Sequence, residues 1–330
     1  MVATAPATLG PAEIGAFAAR AERLGFDTVH VSETIHDPFT VAAFALQATT
    51  AITVRTSMVL AFPRSPMITA YAAWDLARLS GGRFQLGIAS QVRGNIVGRF
   101  STAWSEPVSR MADYIRSLRA IFHSFQTGER LNYVGAHYTF DKLQPYFNPG
   151  PLDNPAPAIW TGGVNARMVA MAGELADGFV CHPTNSHPTI LRTQTLPALA
   201  GGSPRVIANP QPLMAATGEG VRALRDTRRG ELAFLYSTPA YRRQLEHFGI
   251  AELGAALSAM AQDNQWADMS RLFTDDVLEQ LLPHGTYDEI PELLEQWYAG
   301  LCDGLTIALP AGDDDALAEL VRQCRVIPTR

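Results

Sequence analysis

The sequence predicts an α/β protein, a (β/α)8 TIM barrel with a helical insertion late in the chain. Residues 50–91 have the pattern of a buried strand, a helix from Met67 to Leu79 and a second buried strand, the repeating unit of parallel sheets. A helix end, a tight turn with Gly and Asp, and a strand follow one another in the same way at 24–29, 175–180 and 301–306. The length of 330 residues suits a barrel with one insertion.

The boundaries of this central unit follow from local chemistry. Its first strand is β-branched and apolar from Ile52 to Phe62, and Pro63 and Pro66 end the strand and open the helix. Ser80-Gly81-Gly82 ends that helix, because glycine accepts the left-handed conformation that a helix C-cap needs. The second strand is Phe84 to Ala89.

The rest of the chain repeats the alternation of strands and helices. Before the central unit we predict, in order, strand Val2–Ala5, helix Pro11–Leu24, strand Phe26–Val31, a polar turn at 32–38 and helix Phe39–Thr49. After it we predict a loop over the barrel mouth at 92–104, a helix from an N-cap at Ser105 to Phe125, a hairpin at 131–140 and a Pro-rich connection at 148–157. These are followed by strand Ala158–Thr161, a helix ending at Ala176, strand Phe179–His182, helix Thr189–Leu199 and strand Arg205–Ala208. The remainder is predicted as a mostly helical insertion at 219–282, helix Ile290–Tyr298, strand Leu305–Leu309 and helix Asp315–Cys324.

We treat residues 1–330 as one domain. The alternative architecture is an open, doubly wound sheet, which fits less well because no GxGxxG pattern follows the first strand.

Composition excludes several classes of function. A hydrophobic content of 47% predicts a sizeable core, and a net charge of −6 without runs of like charge argues against a nucleic-acid partner. Three widely spaced cysteines and the absence of a leader-like start or a long apolar run predict a cytoplasmic protein without disulfides or a membrane span. The sequence lacks HExxH and clustered Cys/His, so no metal is expected, and it also lacks a GxSxG elbow.

Polar residues stand where the two central strands stop, and ligands of α/β folds bind at such strand ends. The residues in question are Ser57, Arg64, Ser90, Gln91 and Arg93.

Three signatures, taken together, resemble the bacterial luciferase-like family of flavin- and F420-dependent barrel enzymes. The first is A-x-x-x-G-F-D-x-x-x-x-x-E from Ala21 to Glu33, and the second is RLSGGRFQLG at 78–87. The third is the pair of glycines at 162–163 followed by Ala-Asp-Gly at 176–178. The local sequences at 62–66 and 90–93 resemble the F420-dependent branch of that family.

The resemblance implies a cofactor site at particular positions. Relatives commonly end the third strand in a non-proline cis peptide behind the cofactor ring, and the matching residues are Ser57 and Met58. A bulge there would let the ring pack against backbone, whereas the alternative is an ordinary strand end. Contacts with the polar tail are implied for Ser90, Gln91 and Asn95. A phosphate is implied at the start of the helix after Gly162, Gly163, Val164 and Asn165, where the alternative is a simple turn.

Arginines and aromatic residues are further candidates. The guanidinium groups of Arg64, Arg93 and Arg99 could pair with carboxylates of an F420 oligoglutamate tail, or could be solvated surface charges. Phe39, Phe62, Trp104 and the helical insertion are predicted to wall a partly apolar substrate pocket, although such aromatics also serve as core.

The sequence departs from the family where a proton donor is expected. Many relatives have Glu-His or Asp-His after the second strand, but here Glu33 is followed by Thr34. We therefore consider His36 or Glu33 as the catalytic group, with an ordinary turn residue bonded near Asp37 as the alternative for His36. His182 is predicted at a strand end as a cofactor or substrate contact, or else as a packing residue.

The leading hypothesis is an F420-dependent oxidoreductase that transfers a hydride between deazaflavin C5 and a small, partly apolar substrate. The alternatives are an FMN-dependent two-component monooxygenase and a non-catalytic flavin-binding barrel. Expected partners are the small-molecule substrate, a second copy of the chain in a homodimer, and a separate F420 or flavin reductase. No nucleic-acid or membrane partner is expected.

Overall fold

This computed structural model describes the backbone of residues 1–330 and every side chain except those at 239 and 240. Alternating strands and helices fill the first 180 residues: β1 Val2–Thr4, α1 Ile14–Arg23, β2 Thr28–Val31, α2 Pro38–Gln47, β3 Thr53–Thr56, β4 Val59–Leu60, α3 Pro66–Ser80, β5 Phe84–Ala89, α4 Arg93–Gly98, α5 Pro107–Thr127, β6 Tyr133–Val134, β7 Thr139–Phe140, β8 Ile159–Thr161, α6 Ala166–Leu175 and β9 Gly178–Val180.

The remaining residues contain more helix than strand. In chain order they form α7 Pro188–Ile190, a π-helical turn Leu191–Thr195, α8 Leu196–Leu199, β10 Arg205–Ala208, β11 Leu213–Ala215, α9 Gly218–Ser237, α10 Pro239–Arg242, α11 Ala251–Gln262, α12 Asp275–Leu281, β12 His284–Thr286, α13 Ile290–Tyr298, β13 Gly304–Ala308 and α14 Asp314–Cys324.

The fold is the predicted α/β barrel of eight parallel strands, made by β1, β2, β3, β5, β8, β9, β10 and β13. The parallel pairs are β1–β2, β2–β3, β3–β5, β5–β8, β8–β9 and β9–β10. Parallel strands require crossover connections, and helices α1, α2, α3, α5 and α6 supply them. The carboxyl ends of these strands therefore meet at one face, as the sequence predicts.

The chain divides into two compact units. The larger contains residues 2–180 and 198–207, and the smaller contains residues 181–197 and 208–330 together with residue 1. The smaller unit includes the predicted helical insertion, which has a core of its own. That core packs apolar residues from α9, α11, α12 and the segments that connect them: Leu232, Ala233, Tyr236, Leu245, Leu257, Met269, Phe273, Leu278 and Leu281.

Several predicted ends are confirmed by cap geometry. Ser65 accepts a hydrogen bond from the Met67 amide (3.3 Å) at the start of α3, and Gly81 closes that helix at φ 62°. Helix α5, predicted to end at Phe125, continues for two residues to Thr127 and is closed by Gly128 at φ 75°. The hairpin predicted at 131–140 is the antiparallel pair β6–β7.

The loop predicted at 92–104 is wrong in part, because residues 93–98 form helix α4. Its two glycines indicated a loop, but Ile96 is fully buried and fixes the helical turn from its apolar side. Ser105 is not the N-cap of α5. The cap is Glu106, and the helix begins at Pro107.

Two further differences concern strands. The parallel pair β11–β12, in the smaller unit, was not predicted, because three-residue strands carry too little periodicity. The strand predicted at 179–182 ends at Val180, because Pro183 opens a 3₁₀ turn with His182 as its cap. In the described part of the chain, no helix combines the length and the apolar character needed to cross a bilayer.

Candidate functional site

The strand predicted at 52–62 is interrupted by a bulge. Residues of β3 pair with β5 residues 30 positions later, whereas β4 pairs with the same strand at an offset of 29. One extra residue therefore lies on the β3–β4 side, which defines a β-bulge, a feature common beside active sites. The Ser57–Met58 peptide in this bulge is cis, which confirms the prediction for that bond.

Thr56 links β3 to β5 at the point where the bulge interrupts their regular hydrogen bonding. Its hydroxyl donates to the Gly87 carbonyl (2.9 Å) and accepts from the Gly87 amide (2.9 Å). These two bonds replace backbone pairing that the bulge removes, so the bulge is held in place without a buried unpaired amide.

Met58 packs against positions where only glycine fits. A Cβ on Gly87 would lie 2.8 Å from Met58 Sδ and closer still to the Thr56 carbonyl oxygen. A Cβ on Gly162 would lie 2.9 Å from the Val180 carbonyl oxygen and 3.4 Å from Met58 Cε. The structure thus places Met58 against Gly162, another residue predicted for the cofactor site, and against Gly87, which sequence reasoning did not single out. An isolated glycine inside a buried strand was the signal for it.

The segment after β5 turns sharply at Gln91, which has φ 61°. The Gln91 side-chain oxygen accepts from the Val92 amide (2.8 Å), and the Ser90 hydroxyl donates to the Gln91 carbonyl (3.2 Å). Asn95 lies exposed on α4. Ser90 and Gln91 therefore shape the turn, and Asn95 presents a polar side chain beyond it.

The residues Gly162 to Asn165 lead into α6. The Asn165 side chain caps this helix by accepting from the Met168 amide (2.9 Å), so its oxygen serves the helix. Gly163 is required by packing, since a Cβ there would lie 2.6 Å from Met168 Cγ. The amides of the first turn, at 166 and 167, have no intrahelical acceptor and carry the positive end of the dipole, which suits an anionic group.

Glu33 and Arg64 form a partly buried ion pair. The Glu33 carboxylate accepts from the Leu60 amide (2.7 Å) and from Arg64 Nη1 (2.8 Å), and its side chain is 7% exposed. Arg64 also reaches Asp37 (3.3 Å) and the Leu60 carbonyl (3.2 Å). Arg64 is thus engaged by the protein's own carboxylates, Glu33 and Asp37, and is not a solvated surface charge. Through its bonds to Leu60 and Arg64, Glu33 connects the residues after the bulge to the end of β2.

His36 is close to Glu33 in sequence, but its ring is not part of this ion pair. Its ring packs on Gly10, where an added Cβ would lie 3.1 Å from Nε2. Asp37 instead caps α2 by accepting from the Thr40 amide (2.9 Å). Of the other two rim arginines, Arg99 donates to the Thr34 carbonyl, and Arg93 is exposed.

His182 belongs to the smaller unit. Its Nδ1 accepts from the Thr184 amide (3.3 Å), and its ring stacks on Tyr241 at 4.9 Å with an interplanar angle of 2°. Burial lowers the pKa of His182 to about 4, so the ring is neutral at pH 7. Because Nδ1 is the acceptor, the proton lies on Nε2, which is a hydrogen-bond donor.

Two of the predicted pocket aromatics do meet. Phe62 and Trp104 pack edge to face at 5.5 Å. Arg110 organises them, since its guanidinium lies 4.4 Å from the Phe62 ring centroid and donates to the Ala103 carbonyl (2.9 Å). Phe39 packs separately against Phe84, 6.5 Å away.

A polar row crosses the barrel interior below the bulge, and sequence reasoning missed it. His30, Arg55 and Gln85 are neighbours in register on β2, β3 and β5. Arg55 donates to Gln85 Oε1 from Nε (2.8 Å) and Nη2 (2.6 Å), and to His30 Nε2 from Nη1 (2.9 Å). The signal was a charged residue in the middle of an otherwise apolar strand.

The residues of the larger unit fit a planar ring that carries an anionic chain. The backbone of the bulge and the neighbouring Gly162, which has no side chain, leave backbone groups available to a flat ring. The first turn of α6 and the exposed guanidinium of Arg93 suit a negatively charged group. No acidic side chain among the predicted contact residues 90, 91, 95 and 162–165 opposes an anion.

Comparison with known proteins agrees with this geometry. The chain is 33% identical over 314 residues to an uncharacterized protein of Mycobacterium tuberculosis, covering 92% of both chains. It is 31% identical over 205 residues to the F420-dependent glucose-6-phosphate dehydrogenase of Nakamurella multipartita, covering 58% of each. The fold matches the coenzyme F420-dependent tetrahydromethanopterin reductase of Methanopyrus kandleri with a TM-score of 0.76 at 18% identity, over 97% of this chain and 96% of that one. Residues 2–304 match the luciferase-like monooxygenases, and the chain therefore belongs to that family of oxidoreductases.

Proposed function

We propose that the protein is an F420-dependent oxidoreductase that transfers a hydride between the deazaflavin and a small, partly apolar organic substrate. The observation that carries the proposal is the bulge at Ser57–Met58, which lies at the carboxyl end of the barrel strands beside Gly162. Relatives whose names include F420 dependence support the choice of cofactor. When bound, the cofactor supplies hydride chemistry at its C5 atom.

The chain's own residues would position the reactants and exclude water. Backbone at Ser57, Met58 and Gly162 would support the ring, and the polar groups of Ser90, Gln91 and Asn95 would contact the tail. The first turn of α6, opened by Gly163, Val164 and Asn165, would bind the phosphate. Arg93 is the exposed cation suited to tail carboxylates.

Proton transfer requires a group with a movable proton. His36 Nε2 and the Glu33 carboxylate are the candidates in the larger unit. Glu33 is already occupied by Leu60 and Arg64, so His36 is the better candidate of the two. In the reducing direction the substrate would carry an activated C=C, C=N or C=O group, and in the other direction it would be an alcohol or similar donor.

The test is a parallel titration of the purified apo-protein with F420 and with FMN, followed by absorbance and fluorescence. We expect F420 to bind more tightly than FMN. Arg93→Gln should weaken F420 binding several-fold, whereas Arg23→Gln, on the exposed face of α1, is the control and should change nothing. Tighter binding of FMN would replace the proposal with a two-component monooxygenase, and an oxygen-uptake assay would follow.

We propose a homodimer, to be checked by sedimentation, and a separate reductase that renews the reduced cofactor. Binding of cofactor without turnover of any substrate across a broad screen would favour a non-catalytic flavin-binding barrel instead.

A further inference from the structure

Arg55 is a buried cation without a counter-charge. The residue is 2% exposed, and its three hydrogen bonds go to the neutral acceptors of Gln85 and His30. Among the described residues, no carboxylate contacts its guanidinium. Burial, with a smaller contribution from the nearby Arg205 charge, lowers the pKa of Arg55 to about 9, so it remains charged at neutral pH. Removing a charge from water without a partner is costly, and such positions are candidates for a functional role.

Its neighbours cannot neutralise it. Burial, and secondarily the Arg55 charge, lowers the pKa of His30 well below its usual value, so the imidazole is neutral and its Nε2 accepts from Arg55. The guanidinium carbon lies 3.4 Å from the centroid of the Trp160 ring, which contacts it with its electron-rich face only. The indole N–H of Trp160 has no acceptor among the described residues. This layer of the barrel interior is therefore net positive.

The charge lies next to the candidate ring site. Arg55 precedes Ser57 by two residues on one strand, about 7 Å along the chain. Trp160, on which Arg55 stacks, belongs to a buried apolar cluster against which Met58 packs. Apolar packing of this kind excludes water, so screening between the guanidinium and the bulge is weak.

We propose that Arg55 sets the charge preference of the cofactor site, so that the protein binds the reduced cofactor more tightly than the oxidised one. This inference rests on the proposed function. A hydride carries two electrons and one proton, so its addition to the ring leaves the ring one unit more negative, while the donor loses the same pair of electrons. A fixed positive charge at about 7–10 Å, at an effective dielectric constant of about 20, favours the more negative state about tenfold or more.

The chain offers a variant that removes the net charge without removing the guanidinium. Gln85→Glu keeps an acceptor for both Arg55 N–H groups and adds the missing negative charge at the position of Gln85 Oε1. Gln47→Glu, on the exposed end of α2, adds the same charge in water and serves as the control. Arg55→Lys retains the charge, and Arg55→Gln removes it. Because Arg55→Gln leaves a cavity and can unfold the protein, Gln85→Glu is the decisive variant.

The measurement is the dissociation constant of each variant for oxidised and for chemically reduced F420, titrated without oxygen, with circular dichroism as the folding check. We expect the preference for the reduced form to fall about tenfold in Gln85→Glu, with Gln47→Glu and Arg55→Lys close to wild type. A tenfold fall corresponds to a decrease of about 30 mV in the midpoint potential of the bound two-electron couple.

Two results would overturn the inference, and they are distinguishable. If the folded Gln85→Glu variant binds both forms in the wild-type ratio, the Arg55 charge does not act on the ring, and the proposed function stands. If wild-type protein binds neither F420 nor FMN, the proposed function fails and this inference fails with it.

Discussion

Replacing Glu33 by alanine tests the ion pair that fastens the bulged segment to β2. The carboxylate makes two charge-assisted hydrogen bonds, to the Leu60 amide (2.7 Å) and to Arg64 (2.8 Å). A bond from a buried amide to a charged group contributes about 1.5–3 kcal/mol. The Arg64 side chain is 20% exposed and keeps Asp37 as a partner, so its share is reduced to about 0.5 kcal/mol. We therefore expect Glu33→Ala to lower the free energy of unfolding by about 2–3.5 kcal/mol.

Urea unfolding, with the midpoint and slope compared between variants, measures this loss. Glu33→Gln keeps an oxygen acceptor for Leu60 and should lose about half as much as the alanine variant. Glu174→Ala, at an exposed position on α6, is the control and should stay within about 0.5 kcal/mol of wild type. If Glu33→Ala also stays within that range, the carboxylate does not hold the segment. A pure proton-transfer role for Glu33 would then regain support.

The remaining predictions concern packing and pH. Gly87→Ala should destabilise the protein by about 1–3 kcal/mol and weaken cofactor binding, because the added Cβ meets Thr56 and Met58. Gly94→Ala, where nothing lies within 4 Å, should be neutral or slightly stabilising, and equal effects at both positions in thermal unfolding would contradict the packing argument. His182 and His187 have pKa values lowered to about 4 by burial, so between pH 4 and 6.5 the unfolded state binds more protons. The free energy of unfolding should have its full value above about pH 6.5 and should decrease as the pH falls toward 4. In a His182→Asn/His187→Asn variant, the midpoint of urea unfolding should change less with pH than in wild type.

Local sequence was sufficient where local chemistry decides the structure. The strand at 84–89, the helix at 290–298 and the strand at 205–208 were predicted with the bounds that the structure has. Each is bounded by residues that stop its conformation, and its apolar pattern has one period. The same holds for Gly81, whose positive φ follows from the lack of a Cβ. The bulge and its cis bond at Ser57–Met58 were predicted through family resemblance, since apolar periodicity alone indicated one long strand.

Side-chain partnership was decided by tertiary structure. Arg64 was expected on an open rim, yet Glu33 lies 31 positions earlier and reaches it only because β2 and the segment after β3 are neighbours. Helix α4 depends on burial of Ile96, which no window of the sequence reveals.

By itself, the sequence determined the parallel α/β barrel, its helical insertion and the strand ends at which we propose a cofactor site. These features could be predicted because the periodicity of apolar residues, the turns and the helix caps each depend on only a few neighbouring residues. Only the tertiary structure decided that Arg55 lies buried beside Trp160 with no carboxylate among the described residues in contact, and that Gly87 must lack a Cβ because the Thr56 carbonyl occupies that space. The physical reason is that burial and charge compensation depend on which strands are adjacent, and adjacency is set by the whole fold.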